Sequence, residues 1–183
     1  MQNTTEIAPC WYALSAKPRH EKAVAHHLET QKLESFLPLS STFRRWSDRK
    51  KEVDLPLFCG YLFCRFGYRD RLRVLNTPGV LSIVGFARQD MPIDESEIEM
   101  VRRIVASGYR VGPWPYLHAG DRVRIKAGVL TGIEGILVRE KTQARVVVNV
   151  ELLQRSVSVE MDRDVLSHAL IPNAASTAAM SFS

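Results

Sequence analysis

Residues Leu55-Pro56-Leu57-Phe58-Cys59-Gly60-Tyr61-Leu62-Phe63-Cys64-Arg65-Phe66 form the most apolar run in the chain. From Gly60 onward the run predicts a strand, with Tyr61, Phe63 and Arg65 on one face and Leu62, Cys64 and Phe66 on the other. Bulky groups on both faces require a place inside a sheet with something packed on each side. Phe58 lies between Pro56 and Gly60, so it is expected in a tight turn at the mouth of the strand, outside the ladder.

The segments around this strand alternate in type. Cys10–Ala16 reads as an opening strand, rich in β-formers at Trp11 and Tyr12. A helix is expected from Lys17-Pro18 to about Leu33, with Pro18 near its first turn. Its histidines, His20, His26 and His27, lack the spacing of a metal-binding helix and read as solvated side chains. A short strand at 36–39 leads into a hairpin that turns at Ser47-Asp48. From Arg44 to Lys51 that hairpin carries five basic residues against one acid, with Trp46 interleaved. Cations release phosphate counterions and an aromatic stacks on an unpaired base, so Arg44, Arg45, Trp46, Arg49, Lys50 and Lys51 are candidate nucleic-acid contacts; a solvated hairpin tip is the competing reading.

After the central strand come a short helix at 69–76, a Pro78-Gly79 stop and a strand at 80–86. The next helix is the best specified element in the chain. Asp94 is its N-cap, Glu97 completes a capping box, and Ile93 and Ile98 have the spacing of a hydrophobic staple. Ile98, Val101, Ile104 and Val105 form its apolar stripe, and Gly108 ends it. This order gives an α+β fold, an antiparallel sheet with flanking helices, over residues 9–108. Residues 109–118, with Gly112, Pro113 and Pro115, read as a linker. From 119 to 171, short alternating segments at close spacing predict a small β-barrel. Residues 172–183 are expected to be disordered.

A 45% hydrophobic composition over 183 residues supports a real core. The basic surplus is uneven: residues 1–118 carry 17 Lys/Arg against 13 Asp/Glu, whereas residues 119–171 carry 8 against 7. A polyanion or an acidic partner is therefore expected for the first half. Cys10, Cys59 and Cys64 form no CxxC pair and read as small core residues. No metal site or cofactor is expected, and the absence of a spanning segment or signal peptide suggests a cytoplasmic protein. No carboxylate pair, Ser/His/Asp order or phosphate loop has catalytic spacing, which argues against an enzyme.

Trp11-Tyr12, the run Leu57-Phe58-Cys59-Gly60-Tyr61-Leu62-Phe63, Thr77-Pro78-Gly79-Val80, Gly120-Asp121-Arg122-Val123-Arg124-Ile125 and the glycines 128, 132 and 135 occur in an order that resembles the NusG family of transcription elongation factors. In that family an N-terminal domain precedes an SH3-like KOW barrel. The resemblance implies a monomer whose N-terminal domain binds the clamp helices of RNA polymerase within the elongation complex on DNA and RNA. By the same likeness the docking patch comprises Phe58, Tyr61, Phe63, Ile83, Phe86, Ile98 and Val101. Core packing is the ordinary role for Phe63, Ile98 and Val101, and docking is favoured for Phe58, Tyr61 and Phe86. Exposed Leu130, Ile133 and Leu153 on the barrel would meet a second partner, the termination factor Rho or a small-subunit ribosomal protein. Cys59 stands where the family usually has proline, and Gln154 where a glycine is common. These departures imply a specialised antitermination paralogue. The competing reading is a ribosome-associated RNA binder acting through the barrel.

Overall fold

The structure is a computed structural model that describes residues 8–46, 49–87, 89–118, 120–139 and 144–168. The hairpin turn expected at Ser47-Asp48 and the tail expected at 172–183 lie outside the described residues.

The first half is built on a five-stranded antiparallel sheet. Strand β1 (Cys10–Ala16) leads to α1 (Glu21–Thr30), β2 (Glu34–Phe36), and the hairpin β3 (Leu39–Trp46) and β4 (Arg49–Pro56). Then come β5 (Tyr61–Phe66), a 3-10 turn at Tyr68–Asp70, α2 (Arg71–Leu75), β6 (Val80–Ile83), β7 (Gly85–Phe86), β8 (Gln89–Asp90), β9 (Pro92–Ile93) and α3 (Glu95–Ala106). The sheet order is β2-β5-β1-β6, with β9 also on β1. Strand β5 therefore lies between two partners, as its two-faced apolar pattern requires. Leu14 is opposite Leu62, and Ala13 is opposite Phe63.

The two faces of β5 enter two different apolar clusters. Leu62, Cys64 and Phe66 join Val24, Leu28 and Val74 beneath α1 and α2. Phe63 joins Trp11, Ile98, Val101 and Ile104 beneath α3, and Tyr61 packs at the margin of that cluster. Hairpin β3–β4 forms a separate two-stranded sheet, paired from Leu39 opposite Pro56 to Trp46 opposite Arg49.

Several boundaries differ from expectation. Helix α1 begins at Glu21, not at Pro18, because Arg19 adopts a left-handed conformation at φ 67. The strand expected over 80–86 breaks after Ile83, and residues 85–86 turn back against β8. In α3, Asp94 caps as expected and accepts from the Ser96 N–H at 3.0 Å. The Glu97 carboxylate, however, does not complete a capping box; it accepts the N–H of Glu151 at 2.9 Å.

The second half is a six-stranded, barrel-like antiparallel sheet: β10 (Val111–Pro115), β11 (Asp121–Ile125), β12 (Glu134–Arg139), β13 (Ala144–Val150), β14 (Arg155–Met161) and β15 (Leu166–His168), in the order β10-β14-β13-β12-β11-β15. Strand β10 occupies the segment read as linker. Its alternation explains how two prolines are tolerated. The Arg110 carbonyl accepts the Glu160 N–H at 3.0 Å, so positions 110, 112 and 114 face β14. Pro113 and Pro115 then fall on the free edge, where a missing N–H breaks no ladder bond.

Candidate protein-docking site

The aromatic turn Leu57–Gly60 at the mouth of β5 is pinned from several sides. Leu57 N–H donates to the Pro38 carbonyl at 2.8 Å, and Tyr61 N–H donates to the Phe58 carbonyl at 3.0 Å. Gly60 sits at φ +81, a conformation that glycine adopts without strain. Its carbonyl accepts the Ala16 N–H at 2.8 Å, and its own N–H donates to the Glu21 carboxylate at 2.8 Å. Glu21 is 4% exposed. Sequence reasoning missed this residue, because an acid in the first turn of a helix reads as a complement to the helix dipole; only the tertiary fold brings α1 to the turn.

The ring of Phe58 is 3% exposed and stands edge-on to Phe63, with centroids 5.9 Å apart. Phe63 in turn stacks on Phe36 at 6.0 Å. Arg102 of α3 closes the set, its guanidinium 5.0 Å above Trp11 and 5.3 Å above Phe36 while it donates to Glu34 at 3.1 Å.

The residues expected to dock a partner are divided by the fold. Phe58, Phe63, Ile98 and Val101 lie in one buried cluster, and half-buried Tyr61 packs against it. Ile83 belongs to the cluster on the opposite face of the sheet. Phe86 is 80% exposed in β7, toward the other end of β1 from the aromatic turn.

Leu130, Ile133 and Leu153, expected to be exposed on the barrel, are instead buried in the same cluster as Phe58. The reason is that α3 reaches both barrel turns that carry leucines. Arg103 donates to the Val129 and Thr131 carbonyls, both at 3.0 Å, on either side of Leu130. Glu97 accepts from Glu151, two residues before Leu153. Burial at this seam pushes the Glu97 carboxyl above its usual range; the hydrogen bond from Glu151 opposes the shift, and the nearby carboxylates of Glu151 and Asp94 add to it.

The seam between the halves is incompletely filled. A cleft of about 360 Å³ separates Leu57, Phe58 and Cys59 from Pro113, Trp114, Pro115 and Arg155. A second, of about 180 Å³, lies between Met100 of α3 and Arg122, Glu134 and Ile136. A third, of about 810 Å³, runs between the base of hairpin β3–β4 and β10. Cys59, expected in the core, is exposed at the rim, whereas burial, with Glu34 and Asp70 nearby, pushes the Cys64 thiol up to about 12.

The backbones of the basic hairpin residues are adjacent in the ladder: Arg44 pairs with Lys51, Arg45 with Lys50, and Trp46 with Arg49. On the barrel Arg122, Arg124 and Lys126 are exposed, and Arg124 donates through Nε to Glu134 at 2.9 Å. Among the described residues no three His, Cys, Asp or Glu side chains converge on a metal-sized site, and no helix is long and apolar enough to cross a membrane.

Comparison with known proteins agrees with this architecture. A transcription termination/antitermination protein NusG of Campylobacter jejuni is 24% identical over 165 residues, which cover 82% of this chain and 92% of that protein. Thermotoga maritima NusG, solved in a study of its domain interaction, matches in fold with a TM-score of 0.57 at 18% identity, over 87% of this chain and 97% of that one. The family described as transcription termination factor nusG matches residues 9–102, slightly more than half of the sequence, and the chain belongs to that family of transcription factors.

Proposed function

We propose that this chain is a transcription elongation and antitermination factor whose first half docks on the clamp helices of RNA polymerase through the aromatic turn and the apolar face beneath α3. Family membership supports this reading, and one observation carries it. The residues expected to meet the polymerase (Phe58, Tyr61, Phe63, Ile98 and Val101) and those expected to meet a second partner (Leu130, Ile133 and Leu153) converge on one continuous apolar cluster. A face of buried aromatics covered by a detachable barrel is a hot spot held in reserve. Docking then requires the barrel to swing aside, and uncovering one binding face uncovers the other. The apparent affinity for polymerase is reduced by the fraction of chains that are closed.

The basic hairpin β3–β4 contacts nucleic acid in the elongation complex in this reading, and suppression of pausing or termination follows from bridging the polymerase cleft. The second partner is Rho or a small-subunit ribosomal protein. The test is retention on immobilised core RNA polymerase. Tyr61→Ala, at a half-buried position on the rim, lowers retention while its circular-dichroism spectrum stays native. Binding to naked RNA at moderate salt, with no dependence on Tyr61 or polymerase, supports instead an RNA-binding protein acting through the barrel.

A further inference from the structure

We propose that Glu97 and Arg103 of α3 are positioning residues that form a two-point latch setting the balance between covered and uncovered states of the docking face; this rests on the reading above that the barrel masks that face. The two side chains are six residues apart, which places their backbones about 9 Å apart along the helix axis. Each reaches a different turn of the barrel, and each contacts backbone: Arg103 donates to the Val129 and Thr131 carbonyls, and Glu97 accepts the Glu151 N–H. One attachment would leave the barrel free to pivot on α3, whereas two fix its orientation.

The neighbouring side chains show that this is a division of labour along one helix. Arg102, the next residue, turns the other way to Trp11, Phe36 and Glu34 within the first half. Glu97 occupies the third helical position, where a carboxylate ordinarily turns back to cap its own helix. Here the cap is left to Asp94, and the Glu97 carboxylate is committed to the barrel. At Met100, between the two residues along the helix, the seam carries a cleft, and the polar contacts flank it while Leu130, Ile133 and Leu153 are buried behind. The polar contacts add direction to an otherwise apolar seam, and both lie outside the buried cluster itself.

The latch is tested on the full chain by pulsed electron–electron distance measurements between spin labels at Lys22→Cys on α1 and Ser167→Cys on the barrel, with Cys10→Ser and Cys59→Ser. Buried Cys64, with its raised pKa, stays unlabelled. Arg103→Ala removes two charge-assisted hydrogen bonds and is expected to raise the long-distance population relative to the short about tenfold. Glu97→Ala removes one and is expected to raise it about threefold. Glu97→Gln keeps an acceptor for the Glu151 N–H and restores the short distance. Arg110→Ala, whose guanidinium lies near Glu160 within the barrel, leaves the distribution unchanged. An unaltered distribution in Arg103→Ala, or equal opening in Arg110→Ala, overturns the latch. Core polymerase added to the same samples separates the two ideas: opening with a matching gain in polymerase affinity supports both, whereas opening without any gain keeps the latch and removes the docking reading.

Discussion

Truncation of Phe58 to alanine bears most directly on whether the aromatic turn is wedged into a seam. A phenylalanine enclosed on all sides loses about 3–5 kcal/mol when cut to alanine, part from transfer and part from the cavity left behind. Phe58 is 3% exposed, and its ring stands edge-on to Phe63. It also borders a cleft of about 360 Å³ shared with the edge of the barrel, so the wall can relax and water can enter. The expected loss is therefore below the enclosed value, about 2–3 kcal/mol. With a urea slope of about 2 kcal/mol per molar, the midpoint falls by roughly 1–1.5 M. The assay is urea denaturation followed by circular dichroism, with polymerase retention measured on the same preparation in the absence of urea. A native spectrum, the predicted midpoint shift and weaker retention agree with a seam residue that also docks. A loss under about 0.5 kcal/mol means the ring is not wedged and refutes its packing against Phe63 and the seam, whereas a molten spectrum in water makes Phe58 plain core.

Other perturbations address other parts of the chain. Gly135→Ala places a methyl 2.6 Å from the Val146 side chain and 2.7 Å from the Val147 carbonyl oxygen, so β12 and β13 must separate. It is expected to cost about 3 kcal/mol, and an unchanged melting temperature would show that the strands yield freely. The Glu97 carboxyl is raised in the folded chain, so the stability it contributes is fully present below its unfolded pKa and is lost as pH rises through its folded value. Lowering pH through that window therefore favours the covered state in the spin-label assay, and Glu97→Gln flattens the response; opening on acidification would reverse the sign. Replacing Arg44, Arg45, Arg49 and Lys50 by alanine is expected to weaken effects on transcriptional pausing while polymerase affinity is retained, and unchanged pausing makes the hairpin a solvated loop.

The sheet, the helices that cover its faces and the barrel-like sheet that follows were legible in the sequence because each rests on local alternation. Tyr61 through Phe66 split between two clusters as their period of two requires. The departures are tertiary in origin. Glu97 has the spacing of a capping box, yet its carboxylate finds a donor 54 residues away, and no local rule registers that competition. Pro113 and Pro115 read as breakers, but a proline is excluded from a strand only where its N–H would face a partner. Leu130 and Leu153 were expected to be exposed only through the family likeness, which carries no information on what covers them; the covering element, α3, lies far earlier in the chain. Gln154 illustrates a legible departure with a physical trace, since it holds φ 48, where glycine is at ease.

The prolines of β10 have one more consequence. In the proposed uncovered state, the free edge of β10 is left open to solvent. A bare row of alternating donors and acceptors there would invite a neighbouring molecule to zip alongside and start a fibre. With Pro113 and Pro115 on that rim, two of the donors such growth would require do not exist, so the parting proposed above would not make the chain sticky.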